Sequence, residues 1–220
     1  MKRFLKRQKD ILGKLWTSGL TEGFYLTGGT ALAFRYQHRL SFDLDFFSFP
    51  EKAGERFPSD ALLEGLERLG KILDLARGTV IASVEGIKVS FFSYPYPLLE
   101  EPSPLSLDLR VPIASDRDIA SSKLIAVAQR GEKKDFFDLY FLIHRYGWDI
   151  EDILALAQKK YALDESRLSF LLKGLSYFED AEEQKVWLKE HEALSQKEWE
   201  EIKTFFRKQT RAFCQKILPR

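Results

Sequence analysis

The sequence predicts an α+β protein in which a sheet-bearing N-terminal half is followed by an all-helical C-terminal half. Two observations support that class. Between Phe24 and Val111, short apolar runs recur between glycine, proline and charged turns. From Ser115 onward the apolar residues repeat at helical spacing as far as the C-terminus. The change of period around Pro112 sets the boundary, with one domain over 1–112 and a helical one over 113–220.

Each element has its own justification. Phe4, Leu5, Ile11, Leu12, Leu15 and Trp16 fall at helical spacing, which predicts a helix over 3–18 that ends near Gly19. Phe24–Thr27 reads as a short strand running into Gly28-Gly29, and Thr30–Tyr36 as a short helix starting at that turn. A second strand over 42–47 is closed by Pro50, and Leu62, Leu63, Leu66 and Leu69 mark the inner face of a helix over 59–69. Two strands, 79–84 and 87–92, flank Glu85-Gly86, a hairpin turn signal. A last strand over 105–111 follows the Pro95–Pro104 stretch and stops at Pro112. Helices are then expected over 115–130, 134–145, 150–161, 164–178 and 195–217.

Composition narrows the class without naming a partner. A chain of 220 residues with 45% hydrophobic and 30% charged residues can bury a substantial core. A net charge of +1 selects no partner class. Cys214 is the sole cysteine, so a disulfide within the chain is excluded and a reducing compartment fits. The basic N-terminus lacks the apolar core and cleavage site of a signal peptide. No apolar run reaches the ~18 residues needed for a bilayer span. The expectation is a cytoplasmic protein without a membrane partner.

The chemistry concentrates in two short motifs. Asp43 and Asp45 are separated by one leucine, and alternate strand residues share a face, so the two carboxylates project together while Leu44 and Phe46 pack inward. Paired hard oxygens suit Mg²⁺, which one or two carboxylates hold together with substrate phosphates. Gly28, Gly29 and Thr30 stand at a strand-to-helix turn, where backbone N–H groups meet phosphate. Burying two adjacent carboxylates among Phe42, Phe46 and Phe47 without a compensating cation is costly. Together these motifs describe a nucleotide-phosphate site.

Gly28-Gly29 followed by Asp43-x-Asp45 resembles the signature of the DNA polymerase β-like nucleotidyltransferase superfamily. The longer string GGTALAFRYQHRLSFDLDFFS resembles, more narrowly, the AbiEii/AbiGii toxin family of toxin–antitoxin and phage-defence systems. Lys123, Arg130 and the run Lys134-Asp135-Phe136-Phe137-Asp138-Leu139-Tyr140 resemble that family's downstream helical motif. The resemblance covers residues 20–145 and implies a nucleotidyltransferase-fold mixed sheet with flanking helices. It further implies an Mg²⁺-dependent transfer of a nucleoside monophosphate from an NTP to an acceptor hydroxyl, with an RNA such as tRNA as acceptor. An antitoxin from a neighbouring gene is the implied partner.

On this resemblance Asp43 and Asp45 hold the metal, and Gly28, Gly29 and Thr30 cradle the β and γ phosphates. Lys123 and Asp135 join the catalytic set, with Lys123 also on the nucleotide. Asp135 either accepts a proton or anchors Lys123. Arg130 with Asp138 reads equally as a salt-bridged helix interface. Arg35, His38 and Arg39 are either solvated loop charges or contacts to nucleotide or RNA, and Arg39 is the one expected on the nucleotide. The pattern departs from the superfamily at Ser90, where a third carboxylate is usual; Glu85 and Asp108 are weak substitutes. The remaining polar groups are therefore expected from the helical half, with the active site in a cleft between the halves. Two alternatives stay open, a protein-nucleotidylating enzyme and a degenerate nucleotide-binding protein without turnover. The C-terminal helix carries Lys203, Arg207, Lys208, Arg211, Lys216 and Arg220 opposite an aromatic side. That stripe either follows a nucleic-acid backbone or belongs to a helix packed on its own domain, and packing is the preferred reading.

Overall fold

The computed structural model describes residues 2–54, 57–107 and 109–217. The chain divides into two compact units, Met1–Gln37 with Ser41–Ser115, and His38–Leu40 with Asp116–Arg220. Among the described residues no helix is long and apolar enough to cross a membrane.

The first unit holds α1 (Lys2–Thr17), β1 (Phe24–Thr27), α2 (Gly28–Tyr36), β2 (Leu44–Ser48), α3 (Asp60–Leu69) and β3 (Lys71–Ala76). After these come β4 (Thr79–Val84), β5 (Ile87–Phe92), and the two-residue strands β6 (Ser103–Pro104) and β7 (Pro112–Ile113). Its seven strands form one sheet in the order β3-β4-β5-β2-β1-β7-β6. The sheet is mixed, because β2 runs parallel to β5 and β1 parallel to β7 while the other pairs are antiparallel. A parallel pair needs a crossover, and α3, β3 and β4 supply it between β2 and β5.

Alternation builds the core. Leu44, Phe46 and Ser48 of β2 are buried, as are Ile87, Val89 and Phe91 of β5. Phe46 pairs with Phe91 in register, and their rings stack 4.8 Å apart. Helix α1 buries Ile11, Leu12 and Leu15. Gln8 on α1 donates to the Ser41 carbonyl at 2.9 Å, while Arg7 and Lys14 both reach Glu85 at the β4–β5 turn. Glu85 and Gly86 have φ of 49° and 78°, the left-handed pair that a tight hairpin requires. Ser59 caps α3 by accepting from the Leu62 amide.

Two expectations about strands need correction. The strand expected over 105–111 is absent among the described residues, and β6 and β7 stand on either side of it instead. Pro104 and Pro112 have no N–H to give a ladder, so pairing stays short. Asp108 lies outside the described residues. The edge strand β3 has no counterpart among the expected elements.

The second unit contains α4 (Asp116–Arg130), α5 (Lys133–Tyr146), α6 (Ile150–Tyr161), α7 (Glu165–Gly174) and α8 (Gln196–Ile217). A small hairpin, β8 (Trp187–Lys189) with β9 (Glu192–Ala193), interrupts what the sequence predicts to be all helix. Phe136 lies at the centre of its core, with the rings of Phe178, Trp199 and Phe206 at 4.9, 5.8 and 5.6 Å. Gly174 lets α7 come against α4, since a Cβ there would fall 2.4 Å from the Ala128 Cα. Asp149 and Asp152 form a reciprocal capping box at the start of α6.

Candidate active site

Strand β1 passes directly into α2 without a loop. Gly28 makes the turn with φ +72°, and a Cβ at Gly28 would come within 3.4 Å of the Asp45 carboxylate. The absent side chain therefore leaves an open cradle between the start of α2 and Asp45. Thr27, in the N-cap position, gives no side-chain bond to the helix, so the first amides of α2 are not consumed by a Thr27 cap. The dipole of the helix favours an anionic group at that end.

Strand register places the carboxylates. Asp45 pairs directly with Thr27 on β1 and with Ser90 on β5. Asp43 precedes β2 by one residue and is half-buried like Asp45, whereas Leu44 and Phe46 are fully buried. Thr30 is buried and its hydroxyl lies against two oxygens, Ser41 Oγ at 2.8 Å and the Asp43 carbonyl. A carbonyl only accepts, so Thr30 donates to Asp43 and in turn accepts from Ser41. Thr30, expected on phosphate, thus spends its one hydroxyl proton fixing the backbone of Asp43.

Ser90 is 1% exposed, and its hydroxyl has no hydrogen-bond partner among the described residues. A buried unpaired hydroxyl is costly and points to a ligand or water at that spot. No set of three or more His, Cys, Asp or Glu able to hold a metal exists among the described residues. The protein ligands on offer are the two carboxylates, which fits Mg²⁺ completed by substrate phosphates. Lys88, on the same face of β5 as Ser90, lies with Nζ 4.0 Å from Asp43 Oδ2. Sequence reasoning missed both Thr27 and Lys88, because only the register of β1 and β5 against β2 brings them to the carboxylates.

The second unit gathers the other named residues into a buried charge network. Asp138 is completely buried and accepts from Arg39 Nε at 2.6 Å and Nη2 at 2.7 Å, in a fork. His38 Nε2 lies 2.7 Å from Asp138 Oδ1, and Lys123 Nζ 2.7 Å from Asp138 Oδ2. Lys123 also donates to Asp135 Oδ1 at 2.7 Å. Arg130 bonds Asp135 through Nε at 2.8 Å, so its carboxylate partner on this helix is Asp135 and not Asp138. Burial opposes the charge on Asp138, but Arg39 and Lys123 outweigh it and hold the carboxyl well below its usual range. Burial likewise works against Lys123, yet Asp135 and Asp138 keep its pKa above the ordinary lysine value. Asp135 is lowered in spite of its burial, chiefly by Lys123 and then by Arg130.

Arg35 points elsewhere, to the Ser103 hydroxyl at 3.3 Å. The basic stripe of α8 is broken up by partners. Lys203 is 6% exposed and bonds Glu182 at 2.6 Å and Glu200 at 2.8 Å, Arg207 lies over the Phe178 ring, and Lys216 pairs with Glu151. Lys208 and Arg211 are exposed, while Arg220 lies outside the described residues.

The nucleotidyltransferase class of this chain rests on its family, and a mixed sheet with flanking helices and a helical C-terminal half is consistent with it. The solution structure of the antibiotic-resistance factor ANT(2'')-Ia shares the fold, with a TM-score of 0.52 and 16% identity over 76% of this chain and 95% of that one. A putative nucleotidyltransferase from Thermotoga maritima aligns over 57% of this chain and 85% of its own, with a TM-score of 0.40 and 15% identity. Residues 10–217 match the family model described as nucleotidyl transferase AbiEii toxin, type IV TA system, and the chain belongs to that family. An uncharacterized protein of Aquifex aeolicus (strain VF5) is 42% identical over 215 residues, covering 98% of this chain and 100% of that protein.

Proposed function

We propose that this nucleotidyltransferase transfers a nucleoside monophosphate from an NTP to a hydroxyl of RNA, such as tRNA, with Mg²⁺ held by Asp43 and Asp45. The observation that carries the reading is the surroundings of Asp45, which include the Gly28 cradle at the start of α2 and the unpartnered Ser90 hydroxyl across the ladder. Bound Mg²⁺ supplies charge neutralisation for the triphosphate. The amides of Gly28, Gly29 and Thr30 hold the β and γ phosphates, and Ser90 orders a water or a phosphate oxygen. The acceptor oxygen attacks the α phosphorus, the bond to the β-phosphate oxygen breaks, and pyrophosphate leaves. The acceptor's proton passes to a carboxylate of the Asp43–Asp45 pair. Positioning and charge neutralisation suffice for such a transfer.

Within the helical unit, Lys123 gives two of its three ammonium donors to Asp135 and Asp138. The third is proposed to serve an anionic group of the substrate, with Asp135 and Arg39 holding Lys123 and Asp138 in position. Modification of RNA arrests growth in this reading, and an antitoxin from a neighbouring gene relieves it, in a cytoplasmic phage-defence role.

Expression in a bacterial host tests the catalytic core. Asp43→Ala with Asp45→Ala is expected to abolish growth arrest, and undiminished toxicity would show the reading to be wrong. Incubation of the protein with labelled NTPs and lysate is expected to give RNase-sensitive label. Protease-sensitive label would move the acceptor to protein. Ser90, in place of a carboxylate, favours a second reading in which nucleotide binds without turnover. Mg²⁺-dependent NTP binding with no label on any polymer would establish it.

A further inference from the structure

The carboxylate pair has a cation built beside it. Lys88 lies on β5 two residues before Ser90, and Asp43 lies two residues before Asp45 on the neighbouring parallel segment. Asp45 pairs with Ser90 and Leu44 with Val89, and the same register continued one residue ahead of β2 brings Lys88 beside Asp43. Lys88 Nζ is 4.0 Å from Asp43 Oδ2, with the two side chains 47% and 36% exposed. An exposed pair at that separation contributes little to stability. Its interest lies in where the charge sits.

We propose that Lys88 supplies, as an ammonium, the second positive charge at the Asp43–Asp45 pair, so that the site takes one divalent ion with its nucleotide instead of two. The inference rests on the nucleotide reading of the same site. Two-metal sites clamp the attacking and leaving oxygens with two divalent ions. Here the direct strand partner of Asp45 is a serine, which offers no anionic ligand to a second ion. One ion together with Lys88 leaves two carboxylates with the same net charge that two ions would leave on three. An ammonium is a compact point charge on a flexible stem, able to turn from Asp43 toward a phosphate oxygen when nucleotide enters.

Mn²⁺ binding, followed by electron paramagnetic resonance, tests this on the full chain. In the presence of a non-hydrolysable α,β-methylene NTP, the wild type is expected to bind one Mn²⁺ per chain. Lys88→Met, which removes the competing cation from an exposed position, is expected to tighten Mn²⁺ binding without nucleotide by up to about fivefold, the Coulomb effect of one charge at 4 Å in water. Lys88→Met with Ser90→Asp is expected to bind two ions per chain when nucleotide is present. Two Mn²⁺ on the wild type, or unchanged Mn²⁺ affinity in Lys88→Met, would overturn the role of Lys88 and leave the nucleotide reading standing. Absence of any Mn²⁺-dependent nucleotide binding by the wild type would overturn both.

Discussion

Replacing Asp138 by Asn removes the one charge toward which His38, Arg39 and Lys123 all converge. In the native chain a fully buried carboxylate receives a forked guanidinium at 2.6 and 2.7 Å and an ammonium at 2.7 Å. The asparagine keeps one carbonyl oxygen, but its amide turns donors toward donors. Arg39 and Lys123, themselves 4% and 5% exposed, are left with Asp135 as the nearest remaining countercharge of the network. Removing one partner of a buried pair costs about 3–5 kcal/mol. For a chain of this size that corresponds to a fall in Tm of roughly 6–20 °C. The pH dependence carries a sign. The folded pKa of Asp138 is depressed, so its contribution is complete above the unfolded value of about 4 and is lost as pH falls through the folded value. The wild type should therefore lose stability on acidification below about pH 4 more steeply than Asp138→Asn does. Urea unfolding followed by circular dichroism, at neutral pH and at a series of acid values, measures both effects. Because the cost arises from uncompensated charge, and Lys123 keeps Asp135 as a partner, adding Arg39→Met to Asp138→Asn should recover part of it. A loss below about 1 kcal/mol for the single variant, or no recovery in the double, would refute the argument.

Four other substitutions bear on the packing and the site. Gly28→Ala forces a left-handed φ on an L side chain and fills the space beside Asp45, so it should destabilise by about 1–2 kcal/mol in thermal melts and weaken NTP binding in calorimetry. Thr30→Val takes away the donor to the Asp43 carbonyl and should cost about 1–3 kcal/mol, with transfer activity reduced more than NTP affinity. Gly174→Ala presses a methyl into the Ala128 backbone and should cost about 1–3 kcal/mol, whereas Gly65→Ala meets only the end of the Leu20 side chain and should cost less. Equal melting temperatures for these two glycine variants would show that α4 and α7 are not held at that separation.

Local signals carried as far as local physics reaches. The β4–β5 hairpin was legible because its turn is Glu85-Gly86 and its strands alternate, and β1 because an apolar run stops at two glycines. The alternation that puts Leu44 and Phe46 inside also separates Asp43 and Asp45 from them. What escaped depends on pairing across the chain. Strand β3 is an exposed edge strand whose residues lack the inward alternation that marks a half-buried strand. Thr27 and Lys88 gain their place from a ladder, and nothing in their own neighbourhoods marks them. His38 and Arg39 look like loop charges in sequence, yet they contact Asp138, about a hundred positions later. Lys203 and Lys216 look like a basic stripe until Glu182, Glu200 and Glu151 are placed beside them.

The two carboxylates of the candidate site are not equivalent, and the difference follows from where β2 begins. Asp45 lies inside the strand, with Thr27 and Ser90 as its partners on either side, so its backbone is set by two ladders. Asp43 lies one residue ahead of the strand and owes its position to the Thr30 hydroxyl on its carbonyl, while its carboxylate faces Lys88. Thr30 is the third residue of α2, the helix whose first turn carries the amides proposed to hold phosphate. A single hydroxyl therefore ties the start of that helix to the backbone of Asp43, while the backbone of Asp45 is set by the sheet. On the proposed function, that linkage holds the turn at the start of α2 and the carboxylate pair at one spacing, which a reaction driven by positioning requires.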